Sequence, residues 1–137
     1  MKFEAALLTL ALFTQPAAAQ ESTAATQAAT TAAEAWLALA DAGDYAGSWS
    51  QGASAFRGAV TQAQWNDAMV AVRTPLGAIK SRERVSARYT RQLPGAPGGE
   101  YVVIEYQTVF ANRAGVETVV PMREPDGSWK VSGYYIK

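Results

Sequence analysis

The stretch EYVVIEYQTVFANRAGVETVVPMRE, residues 100–124, decides the fold. Residues 100–110 are rich in β-branched and aromatic side chains, which pack well on a pleated sheet and favour a strand. Residues 112–115 contain Asn and Gly, which are typical of turns, and the strand pattern resumes directly after them. Pro-Asp-Gly at residues 125–127 predicts a second turn, which leads into a further strand over residues 129–136. The sequence therefore predicts consecutive antiparallel strands joined by short turns.

Upstream of these strands the period of the apolar residues changes. Residues 79–91 alternate between apolar and polar side chains and predict the first strand, whereas residues 29–40 repeat at helical spacing. Asp44 is placed to cap a short second helix, and Thr61 with Gln64 forms the capping box of a third. This order predicts an α+β fold in which N-terminal helices precede an antiparallel meander of four strands that wraps around the helices or packs against them.

We expect residues 31–137 to form this single α+β domain, because no interior stretch is long enough to act as a linker. Residues 53–58 are expected to form a turn region, and the Pro- and Gly-rich residues 93–99 a loop. The whole chain of 137 residues has the length of one ordinary domain.

The composition excludes several classes of function. Lys plus Arg is 12 and Asp plus Glu is 12, so the chain lacks the excess positive charge on which general nucleic-acid binding depends. There is no Cys and no His, which excludes thiolate chemistry and removes both the commonest metal ligand and the usual general base. We therefore expect no nucleic-acid partner, no metal and no cofactor.

The N-terminus has the pattern of a secretory signal peptide. Residues 5–13 form an apolar run that only Thr9 interrupts, and Ala17-Ala18-Ala19 supplies the small residues that precede cleavage. We expect residues 1–19 to be removed after Ala19, and residues 20–30, which are rich in Ala and Thr, to be flexible. The apolar run is shorter than the roughly 20 residues of a membrane span, so we expect no transmembrane segment after cleavage. The expected location is the periplasm or the extracellular medium.

Short motifs spread along the chain resemble, in order, one bacterial family, the domain of unknown function 4019 family. They are Trp36-Leu37, Asp41-Ala42-Gly43-Asp44-Tyr45, Ser48-Trp49, Gln64-Trp65, Arg73-Thr74-Pro75-Leu76-Gly77, Leu93-Pro94-Gly95, Gly99-Glu100-Tyr101, Glu117-Thr118-Val119, Asp126-Gly127-Ser128-Trp129 and Gly133-Tyr134-Tyr135-Ile136. The resemblance implies an exported bacterial protein and carries over no catalytic or ligand-binding residue. By its order of elements the chain is also similar to the nuclear transport factor 2-like (cystatin-like) fold, which implies a cone-shaped sheet around a cavity closed by helices.

Glu105 and Glu117 lie within apolar strand sequence and are candidate site residues. A turn at residues 112–115 places residues whose numbers sum to about 227 opposite each other, so that Glu117 faces Phe110 and Glu105 faces Met122. The two carboxylates are then not a close pair, although each could line one cavity. Burial in such a cavity would raise the pKa of a carboxylate and suit it to general-base chemistry. On the outer face of the sheet, the same residues would instead bind basic neighbours.

Large aromatic residues supply the remaining candidates. Trp36, Trp65 and Tyr106 could line a pocket for an apolar or ring-shaped ligand, and Tyr106 or Tyr134 could assist a carboxylate in acid/base chemistry. Their helical or alternating spacing is equally typical of residues that fill a core.

Residues 73–91 concentrate positive charge. The alternation predicts that Lys80, Arg82, Arg84 and Arg88 share one side of a strand, opposite Val85 and its apolar neighbours. This basic stripe could hold an anionic ligand or an acidic partner, or it could be a solvated face that discourages edge pairing.

We expect a non-catalytic module of the periplasm that binds a small molecule or an envelope protein, because the chain has no convergent catalytic set. One alternative is a cofactor-free acid/base enzyme, of isomerase or hydratase type, that uses Glu105 or Glu117 in a cone-shaped pocket. Another is an envelope inhibitor or partner domain that docks through an edge strand or through the basic stripe at Arg82 and Arg84. A homodimer is compatible with each of these functions, since an open sheet face offers a surface for a second copy.

Overall fold

The computed structural model describes residues 11–14 and 16–137. Within them the chain forms four helices followed by four strands, which confirms the predicted α+β class. The helices and strands are α1 (Ala17–Asp41), α2 (Tyr45–Ser50), α3 (Ser54–Ala59), α4 (Gln62–Arg73), β1 (Ile79–Thr90), β2 (Tyr101–Phe110), β3 (Ala114–Arg123) and β4 (Trp129–Ile136).

The four strands form one antiparallel sheet in the order β1-β2-β3-β4. Helix α1 packs against all four strands on one face of the sheet, which we call the covered face. Alternate residues of β2, among them Val102, Ile104 and Tyr106, point to this face and are buried there. They meet Trp36 and Leu37 of α1. The opposite face, which we call the open face, carries the intervening residues of each strand.

The helix signals of the sequence correspond to capping contacts in the structure. The Asp44 side chain accepts a hydrogen bond from the Gly47 N–H at the start of α2. Thr61 and Gln64 form the predicted capping box at the start of α4. These contacts satisfy backbone donors that a helix leaves free at its first turn.

Helix α3 corrects the expectation of a turn region at residues 53–58. The Glu124 carboxylate accepts hydrogen bonds from the Ser54 backbone N–H at 2.7 Å and from its hydroxyl at 2.8 Å. The Ala53 N–H donates to the Val131 carbonyl of the edge strand β4 at 2.8 Å. The cap of this helix therefore comes from a segment that is distant in sequence.

The predicted register between β2 and β3 is wrong. The Phe110 N–H donates to the Arg113 carbonyl at 2.8 Å, so the turn closes earlier than residues 112–115. As a result Glu117 lies opposite Tyr106 rather than Phe110, and Glu105 lies opposite Thr118 rather than Met122. The tighter turn moves every cross-strand pair by the same amount.

The predicted alternation along β1 is also wrong in detail, because the register shifts between Ile79 and Ser81 and again between Arg84 and Ser86. Each bulge inserts a residue that has no partner and reverses which side chains face inward. Arg82 therefore points to the covered face, whereas Val85 is 48% exposed. The basic stripe is divided between the two faces of the sheet.

The expected signal peptide falls partly on residues 1–10 and 15, which lie outside the described residues. Helix α1 includes residues 20–30, and Ala29 and Thr30 are buried; the flexibility expected for that segment stays a prediction. Among the described residues, none of the helices combines the length and the apolar character that crossing a membrane requires.

Candidate functional site

The strongest concentration of charge inside the molecule surrounds Glu117 on β3. Its side chain is fully buried and accepts a hydrogen bond from Arg82 Nε at 2.7 Å. The hydroxyls of Thr108 and Tyr134 donate to its two oxygens, one to each. A buried carboxylate needs such donors, because leaving water without them would be costly.

Asp41 lies on the other side of the two arginines and completes the network. The terminal nitrogens of Arg82 donate to both Asp41 oxygens, at 2.8 and 2.9 Å. Arg73 donates to Asp41 Oδ1 at 2.8 Å and to the Tyr134 hydroxyl at 3.1 Å, and its Nη1 lies 3.6 Å from Glu117 Oε2. We call Asp41, Arg73, Arg82 and Glu117 the ion cluster; its two positive and two negative charges balance.

The ion cluster joins the ends of two helices to the sheet. Asp41 is the last residue of α1, which ends there because Gly43 adopts a φ of 75°, a conformation that favours glycine. Arg73 is the last residue of α4. Arg82 comes from β1 and Glu117 from β3, so one network links four elements.

The electrostatics favour the charged states of Asp41, Arg73 and Arg82. Burial alone raises the pKa of the Asp41 carboxyl group, but hydrogen bonds and charges from Arg82 and Arg73 outweigh burial and hold it below its usual value. Burial alone would lower the pKa of both arginines. Tyr134 and Asp41 outweigh burial at Arg73, and Asp41 and Glu117 outweigh it at Arg82, so the pKa of each arginine is raised. Burial and the charge of Glu117 raise the pKa of Tyr134, which keeps its hydroxyl as a proton donor.

This arrangement is suited to holding elements together rather than to proton transfer. Both oxygens of Glu117 already accept hydrogen bonds, and its side chain has no exposed surface. A substrate would have to displace Arg82 or Tyr134 to reach it. General-base catalysis requires a carboxylate within hydrogen-bond reach of the substrate proton, and this geometry does not provide one.

The structure separates the two candidate carboxylates. Glu105 is exposed on the open face, whereas Glu117 is buried on the covered face. Tyr106 lies opposite Glu117 across the strands and is 2% exposed. Among the described residues its hydroxyl has no hydrogen-bond partner, and burial raises the pKa of Tyr106 to about 12.

Trp36 and Trp65 pack against each other with ring centroids 6.1 Å apart. Both indoles bond to Ser48: Trp36 Nε1 donates to its carbonyl at 2.8 Å and Trp65 Nε1 to its hydroxyl at 3.0 Å. Tyr134 packs on Trp36 edge to face. These aromatic residues fill the space between the helices and the covered face.

Sequence reasoning missed the roles of Asp41, Arg73 and Arg82. Along the sequence, Asp41 appears only within a family motif and Arg82 only as a member of the basic stripe. Arg73 carried no signal beyond its place in a family motif. One usable signal was Glu117 itself, because a carboxylate inside an apolar strand requires a cation or several donors if it points inward.

The open face carries an apolar groove of about 590 Å³. Helix α3 forms one wall and residues 93–97 form the other, and the floor is built from β2, β3 and β4. We call this cleft the open-face groove. Its floor residues are Tyr101, Val103, Thr118, Val120, Met122, Ser132, Gly133 and Tyr135, and Arg88 of β1 also lines it.

Hydrogen bonds hold both walls of the open-face groove in place. The Tyr101 hydroxyl donates to the Pro97 carbonyl at 2.7 Å and anchors the loop. Trp49 Nε1 donates to the Val60 carbonyl at 2.7 Å at the end of α3, while the Glu124 contacts to Ser54 hold its start. The groove is therefore formed before a ligand arrives, which lowers the entropic cost of binding.

Comparison with known proteins identifies the family. A family model described as a protein of unknown function (DUF4019) matches residues 32–134. No curated protein and no solved structure matches the chain, and the nuclear transport factor 2-like cone therefore stays a prediction. The match runs from α1 into β4 and agrees with the motifs found along the sequence. The chain belongs to the DUF4019 family.

Proposed function

We propose that this protein is an exported, non-catalytic binding module that holds an apolar small molecule in the open-face groove. The groove itself carries this proposal. It is open to solvent, lined mostly by apolar side chains and bounded by two anchored walls. Its volume of about 590 Å³ lies in the range of known small-molecule sites.

The ion cluster supports the non-catalytic part of the proposal. Glu117, which an acid/base mechanism would use, is engaged by Arg82, Thr108 and Tyr134. Glu105 is exposed on the opposite face. The two carboxylates therefore do not converge on one substrate position, as an active site requires.

The export part rests on the sequence of residues 1–19. An apolar run followed by Ala17-Ala18-Ala19 is typical of a secretory signal, and the lack of Cys is compatible with an oxidising compartment. We expect the mature protein in the periplasm or the medium, with Gln20 as its first residue. The intact mass of protein recovered from a bacterial envelope measures this directly, and retention of residues 1–19 would contradict it.

The groove is tested with matched substitutions on β2. Val103 lines the groove, whereas Val109 is 44% exposed on the same face of the same strand, outside it. We expect Val103→Glu to abolish binding of the neutral apolar dye Nile red, because a carboxylate in the floor must be desolvated, and Val109→Glu to leave binding unchanged. Fluorescence titration measures the dissociation constant.

A second groove variant distinguishes loss of binding from a folding defect in Val103→Glu. Tyr135 is 60% exposed, so Tyr135→Glu should leave the core intact and still weaken dye binding. Circular dichroism confirms folding of each variant. Equal dye binding by the wild type and both groove variants would overturn the proposal.

A further inference from the structure

We propose that the open-face groove takes a free amphipathic anion, a single acyl chain that ends in a carboxylate, with Arg88 receiving the head group. This inference rests on the proposed function and specifies the ligand of the same site. Two observations carry it, the distribution of charge along the groove and the direction in which its apolar floor runs.

Among the described residues that line the groove, Arg88 is the one that carries a charge. It is exposed, and within the described part of the chain no carboxylate lies within ion-pair distance of its guanidinium. Glu105 shares the open face but does not line the groove. The site therefore presents a cation, without a competing anion in the groove, to whatever occupies the floor.

A guanidinium recognises a carboxylate through two parallel N–H donors, which gives both strength and orientation. A ligand with a cationic head would instead meet an unfavourable charge at the same position. Charge complementarity thus selects an anion over a cation, while the apolar floor selects a chain over a small polar ion.

The floor extends away from Arg88. Arg88 lies on β1, Val103 on β2, Val120 on β3 and Tyr135 on β4, so the apolar residues continue across the sheet in one direction. Adjacent strands lie about 4.8 Å apart, so a floor that crosses the sheet from β1 to β4 is long enough for an extended acyl chain. Phe56 also lines the groove and belongs to α3, which packs against β4 at the far side. A head group at Arg88 therefore directs the chain across the strands toward α3.

The structure favours a free amphiphile over a membrane surface as the ligand of the groove. The floor is recessed between two anchored walls, which suits a single inserted chain. The chain as a whole is neutral, with 12 basic and 12 acidic residues, so it has no general attraction to an anionic bilayer.

The test compares three probes of equal chain length, each below its micellar concentration: dodecanoate, dodecanol and dodecyltrimethylammonium. Displacement of Nile red from the wild-type protein measures their affinities. We expect dodecanoate to bind most tightly and the cation most weakly. Arg88→Gln should weaken dodecanoate about tenfold, the value of one charge-assisted contact, and leave dodecanol unchanged.

Arg84→Gln is the matched control. Arg84 is an exposed arginine of the same strand. It lies opposite Tyr106 in the register between β1 and β2 and does not line the groove. We expect this variant to bind all three probes like the wild type. Arg88→Lys, which keeps the charge without the planar fork, should give an intermediate affinity for dodecanoate.

The outcomes separate this inference from the function on which it rests. If Val103→Glu abolishes binding while the anion and the cation bind equally, the groove stands and the anion preference is overturned. If Val103→Glu has no effect on any probe, the proposed function fails as well. If dodecanoate does not bind but vesicles containing anionic lipid do, and Arg88→Gln releases them, the ligand is a membrane surface and the inference is wrong.

Discussion

Glu117 shows how a single buried charge governs its surroundings. Glutamine at this position would keep the shape of the side chain but would lack the negative charge that Arg82 and Arg73 face. We expect Glu117→Gln to lower the free energy of unfolding by about 3–5 kcal/mol, because breaking a buried pair leaves a cation uncompensated. Urea denaturation measures the difference.

Glu105→Gln is the control for this substitution. Glu105 is exposed on the neighbouring strand, so the same chemical change there should alter stability by less than about 0.5 kcal/mol. Equal losses in the two variants would show that the ion cluster contributes nothing specific.

The pH dependence of stability is expected to follow Asp41. Its folded pKa lies below the ordinary value of 3.8 because of Arg82 and Arg73, despite the opposing effect of burial. A lowered folded pKa means that the carboxylate stabilises the fold above the unfolded pKa and loses this contribution as the pH falls through the folded pKa. We expect Asp41→Asn to be less stable than the wild type at neutral pH.

The difference between Asp41→Asn and the wild type should begin to shrink as the pH falls below about 3.8, where the carboxyl group of the unfolded wild type takes up a proton. It should disappear once the pH has fallen through the lower pKa of the folded carboxyl group. Unfolding free energies measured from pH 7 downward provide the curve. A difference that stays constant over this range would argue against the role of the Asp41 charge.

At the scale of elements, α3 depends on a contact that no local pattern reveals. Glu124 caps its first turn through Ser54, and the residues of α3 themselves carry no buried side chain. We expect Glu124→Ala to increase amide exchange across Ser54–Ala59, at a cost of about 1 kcal/mol, the usual value of a lost cap. Hydrogen exchange followed by mass spectrometry reports it.

Glu124→Gln retains a side-chain acceptor and should exchange more slowly than Glu124→Ala. Unchanged exchange in the alanine variant would mean that the Ala53 bond to Val131 alone holds the helix.

The strands show which parts of an element local sequence determines. The alternation of apolar and polar residues predicted β1, and strand-favouring residues separated by turn signals predicted the other three strands. The register depended instead on where the turn closes, and a turn that ends at Arg113 moved every pair between β2 and β3. The bulges of β1 redirected Arg82 in the same manner, since one unpaired residue reverses the inward side.

In the molecule as a whole, the two faces of the sheet differ in burial and therefore in role. The covered face takes Trp36, Tyr106 and the ion cluster, and these contacts hold the helices in place. The open face leaves the groove between α3 and residues 93–97 accessible. A homodimer through that face stays a prediction, and a second copy there would compete with the proposed ligand.

The sequence by itself determined the α+β class, the succession of helices followed by four strands, the caps at Asp44 and Thr61, and the family. These follow from short-range periodicity, local hydrogen bonds and ordered motifs, all of which depend on residues that are close together in the sequence. Only the tertiary structure decided that Glu117 meets Arg82 and Asp41, that Glu105 lies apart from them, and that α3 and a distant loop enclose a groove. Those contacts join residues far apart along the chain, and they depend on register, bulges and packing that local patterns do not specify.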